Sequence, residues 1–208
     1  MQSSALAAEV ELLELRALLS GVAPQATSAP DLIRMVNAGS LQPQNTAGPT
    51  GYTPAEIKQA YGFNQISFSG VAGDGTGTTI AIVDAFDDPN ITNDLHQFDL
   101  AYGLPDPPSF IKLNETGGTT NLPKANSGWI TEIALDVEWT HAIAPGAKIV
   151  LVEAKSASDS DLMTAVNTAR SYSGVDVVSM SWGGSEDSSE LAEDSTFTTP
   201  AGHTAVTF

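Results

Sequence analysis

The stretch WITEIALDVEWTHAIAPGAKIVLVEA, residues 129–154, joins two structural periods across one break. Ile130, Ile133, Ala134, Leu135 and Val137 give the first part a helix's apolar content, and the spacing predicts a helix over 128–143. Pro145-Gly146 ends it, because proline lacks the amide hydrogen that would continue the ladder. Ala147-Lys148-Ile149-Val150-Leu151-Val152-Glu153 then follows as a continuous apolar run of strand length. A strand apolar throughout has both faces covered, which is the condition of a parallel sheet between helices.

The same alternation extends outward. Upstream, Gly73-Asp74-Gly75-Thr76-Gly77 is a turn cluster before Thr79-Ile80-Ala81-Ile82-Val83-Asp84, a strand that ends in a carboxylate. A helix over 91–99 comes next, and 104–127, with three prolines before the Pro123 turn and Gly117-Gly118, reads as irregular. Downstream, a helix over 159–172 leads to a third strand over 175–181. A helical turn or two over 186–194 and the start of a fourth strand at 204–208 complete the pattern. Strands separated by helices predict a three-layer α/β fold with a mostly parallel sheet flanked by helices.

Ahead of this core, Thr53, Pro54 and Glu56 form a capping-box start for a helix ending near Gly62. Residues 21–55 carry Pro24, Pro30, Pro43, Pro49 and Pro54, and read as linker with one turn of helix at 32–36. Residues 5–20 read as a short amphipathic helix. The start of the chain lacks the basic residues and compact apolar core of a signal peptide.

Across 208 residues, 8 Lys+Arg against 25 Asp+Glu give a net charge of −17, which excludes a basic footprint for nucleic acid or an anionic membrane. No apolar run reaches membrane-spanning length. The absence of cysteine excludes disulfides, thiolate metal sites and a cysteine nucleophile.

Glu132 and Asp136 are four apart, so they share a helix face and repel when both are ionised. On a helix facing a cleft, such a pair shares a proton; on an open surface it is a solvated acidic face. Metal readings fit poorly. His141 lies about 140° round the helix from Asp136, and Asp84, Asp87, Asp88 and Asn90 lack the calcium-loop spacing. Gly73, Gly75 and Gly77 precede their strand, whereas a dinucleotide fingerprint follows one. Met180-Ser181-Trp182-Gly183-Gly184 has no nucleophile-elbow pattern. It reads as a strand end with a packed Trp, or as an edge able to pair with an extended peptide. His96, His141 and His203 are dispersed and read as structural.

Together, GYTPAEIKQAYGF (51–63), GTTIAIVDAFDDPN (77–90), the 129–154 stretch, VVSMSWGGSED (177–187) and TPAGHTAVTF (199–208) resemble the sedolisins, the serine-carboxyl peptidases of subtilisin-like fold. The resemblance covers about residues 50–208 and implies the N-terminal part of a peptidase domain, C-terminally truncated. Residues 1–49 would then be a residual pro-region and linker. It implies Glu132 as the general base for a nucleophilic serine, Asp136 as its partner, and Asp84 as a further acid of the hydrogen-bond network. It implies Ser181, Trp182 and Gly183 as the strand that pairs with substrate backbone. A glutamate suits acid: a histidine base with pKa near 6.5 is about 99.7% protonated at pH 4, a penalty of roughly 3.4 kcal/mol.

The family's serine and its oxyanion aspartate sit in Gly-Thr-Ser and Gly-Asp-Ser-Gly segments, and neither Gly-Thr-Ser nor Asp-Ser-Gly occurs in these residues. The resemblance therefore implies a chain inactive alone, or a non-catalytic peptide-binding remnant. It further implies protein or peptide substrates, a missing C-terminal half or pro-region as partner, and secretion. No cofactor or metal is expected in this chain, because the family's calcium site would lie beyond Phe208.

Overall fold

The computed structural model describes residues 51–184 and 190–208, with the backbone of residues 27 and 28. The helix expected over 5–20 and the turn at 32–36 lie outside the described residues, as do 186–189 of the segment expected to be helical over 186–194. In chain order the elements are β1 (Thr27–Ser28), α1 (Pro54–Ala60), β2 (Ser67–Phe68), β3 (Val71–Ala72), β4 (Thr79–Ala85), α2 (Ile91–Tyr102), β5 (Phe110–Asn114) and α3 (Ser127–Ile143). They continue with β6 (Lys148–Ala154), α4 (Asp159–Ser171), β7 (Val177–Ser179) and β8 (Trp182–Gly183), then short 3₁₀ turns at Glu190–Ala192 and Asp194–Phe197.

A four-stranded parallel sheet in the order β5-β6-β4-β7 forms the centre. Ala81, Ile82 and Val83 on β4, and Ile149, Leu151 and Val152 on β6, have no solvent exposure. Consecutive residues point to opposite faces, so both faces are covered and the three-layer α/β arrangement is present. Burying each such Val, Ile or Leu side chain contributes about 1.5–3 kcal/mol, which concentrates the fold's stability in these two strands.

The helices divide between the faces. Phe98 of α2 meets Trp139 of α3 edge-on with ring centroids 6.4 Å apart, so these two helices share a face. Helix α4 packs on β4, β6 and β7 from the other. From β4 to β5 the chain steps over β6; from β5 to β6 it steps back. Two crossovers in opposite directions with helices on one face have opposite hands. The connection through α3 also differs in hand from that through α4, so α3 carries the left-handed member, against the strong right-handed preference of such units. The consequence is positional: α3 joins β5 to β6 and yet lies largely over β4.

Strand β5 corrects the irregular reading of 104–127. Phe110-Ile111-Lys112-Leu113-Asn114 pairs on one side only, with β6, and is mostly half-buried. Lys112 interrupts its apolar run, and the flanking prolines and glycines mimic loop, so its strand character comes from the partner. Strand β7 is shorter than 175–181. The strand expected at 204–208 appears as one parallel bridge, Val177 with Thr207, in which Val178 N–H donates to Thr207 O at 2.8 Å.

Local signals hold elsewhere. Thr53 and Glu56 form the capping box of α1, with Thr53 N–H donating to the Glu56 carboxylate at 2.8 Å. Asn126 caps α3 by accepting from Gly128 N–H at 2.9 Å and Trp129 N–H at 3.3 Å. The glycine cluster at 73–77 packs against the α3–β6 turn: Gly146 N–H donates to Asp74 O at 2.8 Å, and a Cβ on Gly146 would lie 2.4 Å from Thr76 Oγ1.

Candidate active site

Asp84 closes the apolar run of β4 and is fully buried at the carboxyl end of the sheet. Because α3 is carried across β4, the face bearing Glu132 and Asp136 comes down on that end. Glu132 is 6% exposed and Asp136 half-buried. The pair that spacing left open between cleft and surface is therefore turned inward, and the third acid joins it.

The carboxyls are short of donors. Both Asp84 oxygens, Glu132 Oε1 and Asp136 Oδ2 have no hydrogen-bond partner within the described residues. Burial raises the Asp84 carboxyl well above the usual range, and the charges of Asp136, Glu132 and Glu153 add to the rise. Burial also raises Glu132, with Asp136 contributing repulsion. Asp136 is raised by burial and held back by a hydrogen bond from the Ser181 hydroxyl. Acids crowded in this way resist ionising together, which favours their protonated forms to higher pH than for isolated carboxylates.

Ser181 thus stands against Asp136, a contact that nothing in the spacing of the two residues announced. Trp182 donates Nε1–H to the Val83 carbonyl at 2.8 Å, tying the strand end to the residue before Asp84. Gly183 is exposed on β8, where Thr27 pairs with Gly183 and Ser28 with Trp182 in antiparallel register. Just past Asp84, Phe86 takes a left-handed φ of 63°, costly for a bulky residue, and its N–H donates to Ala154 O at 2.8 Å.

The other sequence candidates have structural work. Asp87 and Asp88 begin the turn into α2: Asn90 N–H donates to Asp88 Oδ1 at 2.8 Å, and Lys112 donates to Asp87 Oδ1. His141 is fully buried with Nε2 2.7 Å from Pro105 O and 3.3 Å from Asp99 Oδ1, and His96 pairs with Asp106 at 2.8 Å. Among the described residues no group of three or more His, Cys, Asp or Glu is placed to hold a metal ion, so no ligand set for calcium is found there. No helix among them is long and apolar enough to cross a membrane.

Two residues of this neighbourhood escaped the sequence reading. Glu153 is the register partner of Asp84 on the adjacent strand and is fully buried. Lys112 reaches it from β5, with Nζ 3.6 Å from Glu153 Oε1. The available signal was a carboxylate at the end of the run Ile149–Val152, matched to the one ending β4.

No family model matches the chain. Kumamolisin from Bacillus sp. (strain MN-32) is 34% identical over 145 residues, covering 69% of this chain. The match takes in 25% of kumamolisin, so the chain spans about a quarter of that relative's length. Among solved structures, Pseudomonas sedolisin, a serine-carboxyl proteinase complexed with two molecules of pseudo-iodotyrostatin, aligns with a TM-score of 0.49 at 24% identity. That alignment covers 73% of this chain and 39% of that one. With its motifs in the family's order and this extent of identity, the chain is related to the sedolisins, the serine-carboxyl peptidase family.

Proposed function

We propose that this chain supplies the carboxylate half of a serine-type endopeptidase site that cleaves proteins or peptides in acid through an acyl-enzyme. Glu132 takes the proton of the attacking serine hydroxyl and returns it to the leaving amine. Asp136 holds Glu132 in place by a shared proton, and Asp84 extends that network into the sheet. The observation that carries the reading is the convergence of Glu132, Asp136 and Asp84, three carboxyls raised by burial, Asp84 and Glu132 also by the charge of neighbouring acids, with no cation among the described residues offsetting Asp84 or Glu132. A base must keep a usable unprotonated fraction where the enzyme works, and carboxyls titrating near or above their ordinary values do so in mild acid.

The nucleophile and oxyanion donor are assigned to Gly-Thr-Ser and Gly-Asp-Ser-Gly segments outside these 208 residues, so the chain alone is inactive. Ser181, Trp182 and Gly183 bind substrate backbone, a role supported by the antiparallel pairing of residues 27 and 28 with that edge. The same pairing favours a second reading, a non-catalytic peptide binder that uses only this edge. Secretion, a pro-region in 1–49, and calcium in a complete enzyme belong to the proposal through the family relationship.

The test is hydrolysis of a chromogenic peptide at pH 4. The 208-residue chain is expected to show none, while a protein that adds both segments is active. In that active protein Glu132→Gln or Asp136→Asn lowers kcat by at least about a hundredfold, within the range of general-base loss, with the circular dichroism unchanged. Retained turnover in either variant would overturn the roles given to Glu132 and Asp136. Inactivity of the completed protein, with peptide still bound, would select the binding-only reading.

A further inference from the structure

Lys112 is the residue of β5 that no strand pattern explains, a cation at the centre of an apolar run with its side chain only 16% exposed. Ordering and half-burying a lysine is unfavourable unless its ammonium is well engaged. Three groups engage it. Nζ donates to Asp87 Oδ1 and to Asp88 O, the latter at 2.8 Å, and lies 3.6 Å from Glu153 Oε1. Asp88 N–H donates to that same Glu153 oxygen at 3.3 Å. Burial pushes Glu153 up to about 8, with Lys112 opposing the rise and Asp87 adding to it through its charge and a hydrogen bond. A Glu153 that keeps its proton leaves the ammonium paired with one carboxylate, Asp87, so the cluster balances in charge.

What the ammonium holds is a turn, residues 86–88, on the way from β4 to α2. That turn bears on the start of α3 at two places. Asp87 forms a parallel bridge with Ala125, and its N–H donates to Lys124 O at 3.2 Å. Phe86, at its left-handed φ of 63°, sets its ring 6.4 Å from that of Trp129 in the first turn of α3. Asn126, the cap of the helix, follows Ala125 directly, and Glu132 follows Trp129 by three residues, on the same side one turn along.

We infer that Lys112 is a positioning residue of this site: by holding the 86–88 turn from β5, it fixes where α3 begins and so where Glu132 and Asp136 stand. Asp84 lies two residues before Phe86, so the same turn ties the strand acid to the helix acids. Without the ammonium, the buried Asp87 carboxylate loses its partner, and its relief is to open the turn to water. Opening the turn removes the Asp87–Ala125 bridge and the Phe86–Trp129 contact together. The cap of α3 is then left without the support on either side of it. This also gives the physical reason for a lysine in the middle of an edge strand.

The consequence for catalysis rests on the peptidase reading, but the positioning itself is measured without turnover. Backbone amide exchange of the 208-residue chain is followed by NMR in the wild type, Lys112→Met and Lys112→Arg. Lys112→Met is expected to speed exchange at Asp87, Gly128 and Trp129 by at least about tenfold, the sign of local opening. On the far strand, the amides of Asp176 and Val178, which donate to Thr79 O and Thr207 O, keep their wild-type rates. Lys112→Arg, which can still donate to Asp87 and to Asp88 O, stays within about threefold of wild type. Unchanged rates at Asp87, Gly128 and Trp129 in Lys112→Met overturn the inference. So does an equal acceleration at Asp176 and Val178, the mark of a general loss of stability, or a Lys112→Arg that exchanges as fast as Lys112→Met. If Lys112→Met fails to fold, Asp87→Asn, which withdraws the charge, decides by the same pattern at Gly128 and Trp129. In an active completed protein, Lys112→Met lowers kcat about tenfold with KM unchanged, and Lys112→Arg restores it. Full turnover in Lys112→Met overturns the inference too. A completed protein that is inactive, with the exchange pattern intact, counts against the peptidase reading and leaves the positioning standing.

Discussion

Trp182 does two things with one side chain. Its ring packs on the core, and its Nε1–H satisfies the Val83 carbonyl, one residue before Asp84. Removing a donor from a buried acceptor costs about 1–3 kcal/mol, more than an average hydrogen bond contributes, because the acceptor is left without water. Trp182→Phe is therefore expected to lower stability by about 1–2 kcal/mol in urea denaturation. It should also broaden amide signals around Asp84; a midpoint unchanged from wild type would mean that the Val83 carbonyl finds another donor. The same desolvation logic explains why the Asp84 and Glu132 carboxyls are raised: each has lost water and gained acidic neighbours.

The helix α3 is the element on which the site depends. Its N-cap, Asn126, is one of the few polar contacts fixing where it begins, and shifting that start by a residue rotates Glu132 and Asp136 by about 100°. Asn126→Ala is expected to cost about 1 kcal/mol, typical of a lost side-chain cap. Thermal denaturation checks this, with Asn126→Asp or Asn126→Ser as variants that should retain most of the stability. The helix's far end depends on close approach rather than capping, since Gly146 sits against Thr76 where any side chain would collide. This is also the physical role of the glycine cluster at 73–77, which on sequence invited a nucleotide-loop reading and failed it on order alone.

At the scale of the molecule, the buried acids tie stability to pH. Glu138 is raised to about 7, mainly by burial and then by Asp94 and Asp99, and Glu153 to about 8. For an acid raised on folding, the unfolded chain loses its proton first. Stability is therefore full below the unfolded value, near 4.5, and is lost as pH rises through the folded value. For the fully buried Glu153 alone the loss between those limits is on the order of 4–5 kcal/mol, at about 1.36 kcal/mol per pH unit. The net charge of −17 adds self-repulsion in the same direction. The urea midpoint is expected to be higher at pH 5 than at pH 8, and Glu153→Gln should flatten the difference. A midpoint that rises toward pH 8 would contradict the burial of these acids. The exposed Glu56 and the half-buried Asp74, lowered by hydrogen bonds from Thr53 and Thr76, act in the opposite sense at lower pH.

Much of this organisation is legible in the chain itself. Apolar runs of strand length, the Pro145-Gly146 break and the Thr53–Glu56 cap depend on local sterics and on the period of hydrophobic residues, so sequence alone predicts β4, β6 and the bounds of α3 to within a residue or two. Strand β5 escaped because an edge strand with a lysine at its centre takes its identity from its partner. The spacing of Glu132 and Asp136 puts them on one face but says nothing of what that face meets. That was decided by the left-handed crossover, which carries α3 over β4 and buries its acid pair against Asp84, about fifty residues away in the chain. Proximity of Glu153 to Asp84 is likewise a matter of register between strands 69 residues apart, and pKa follows proximity and lost water, which no linear pattern encodes.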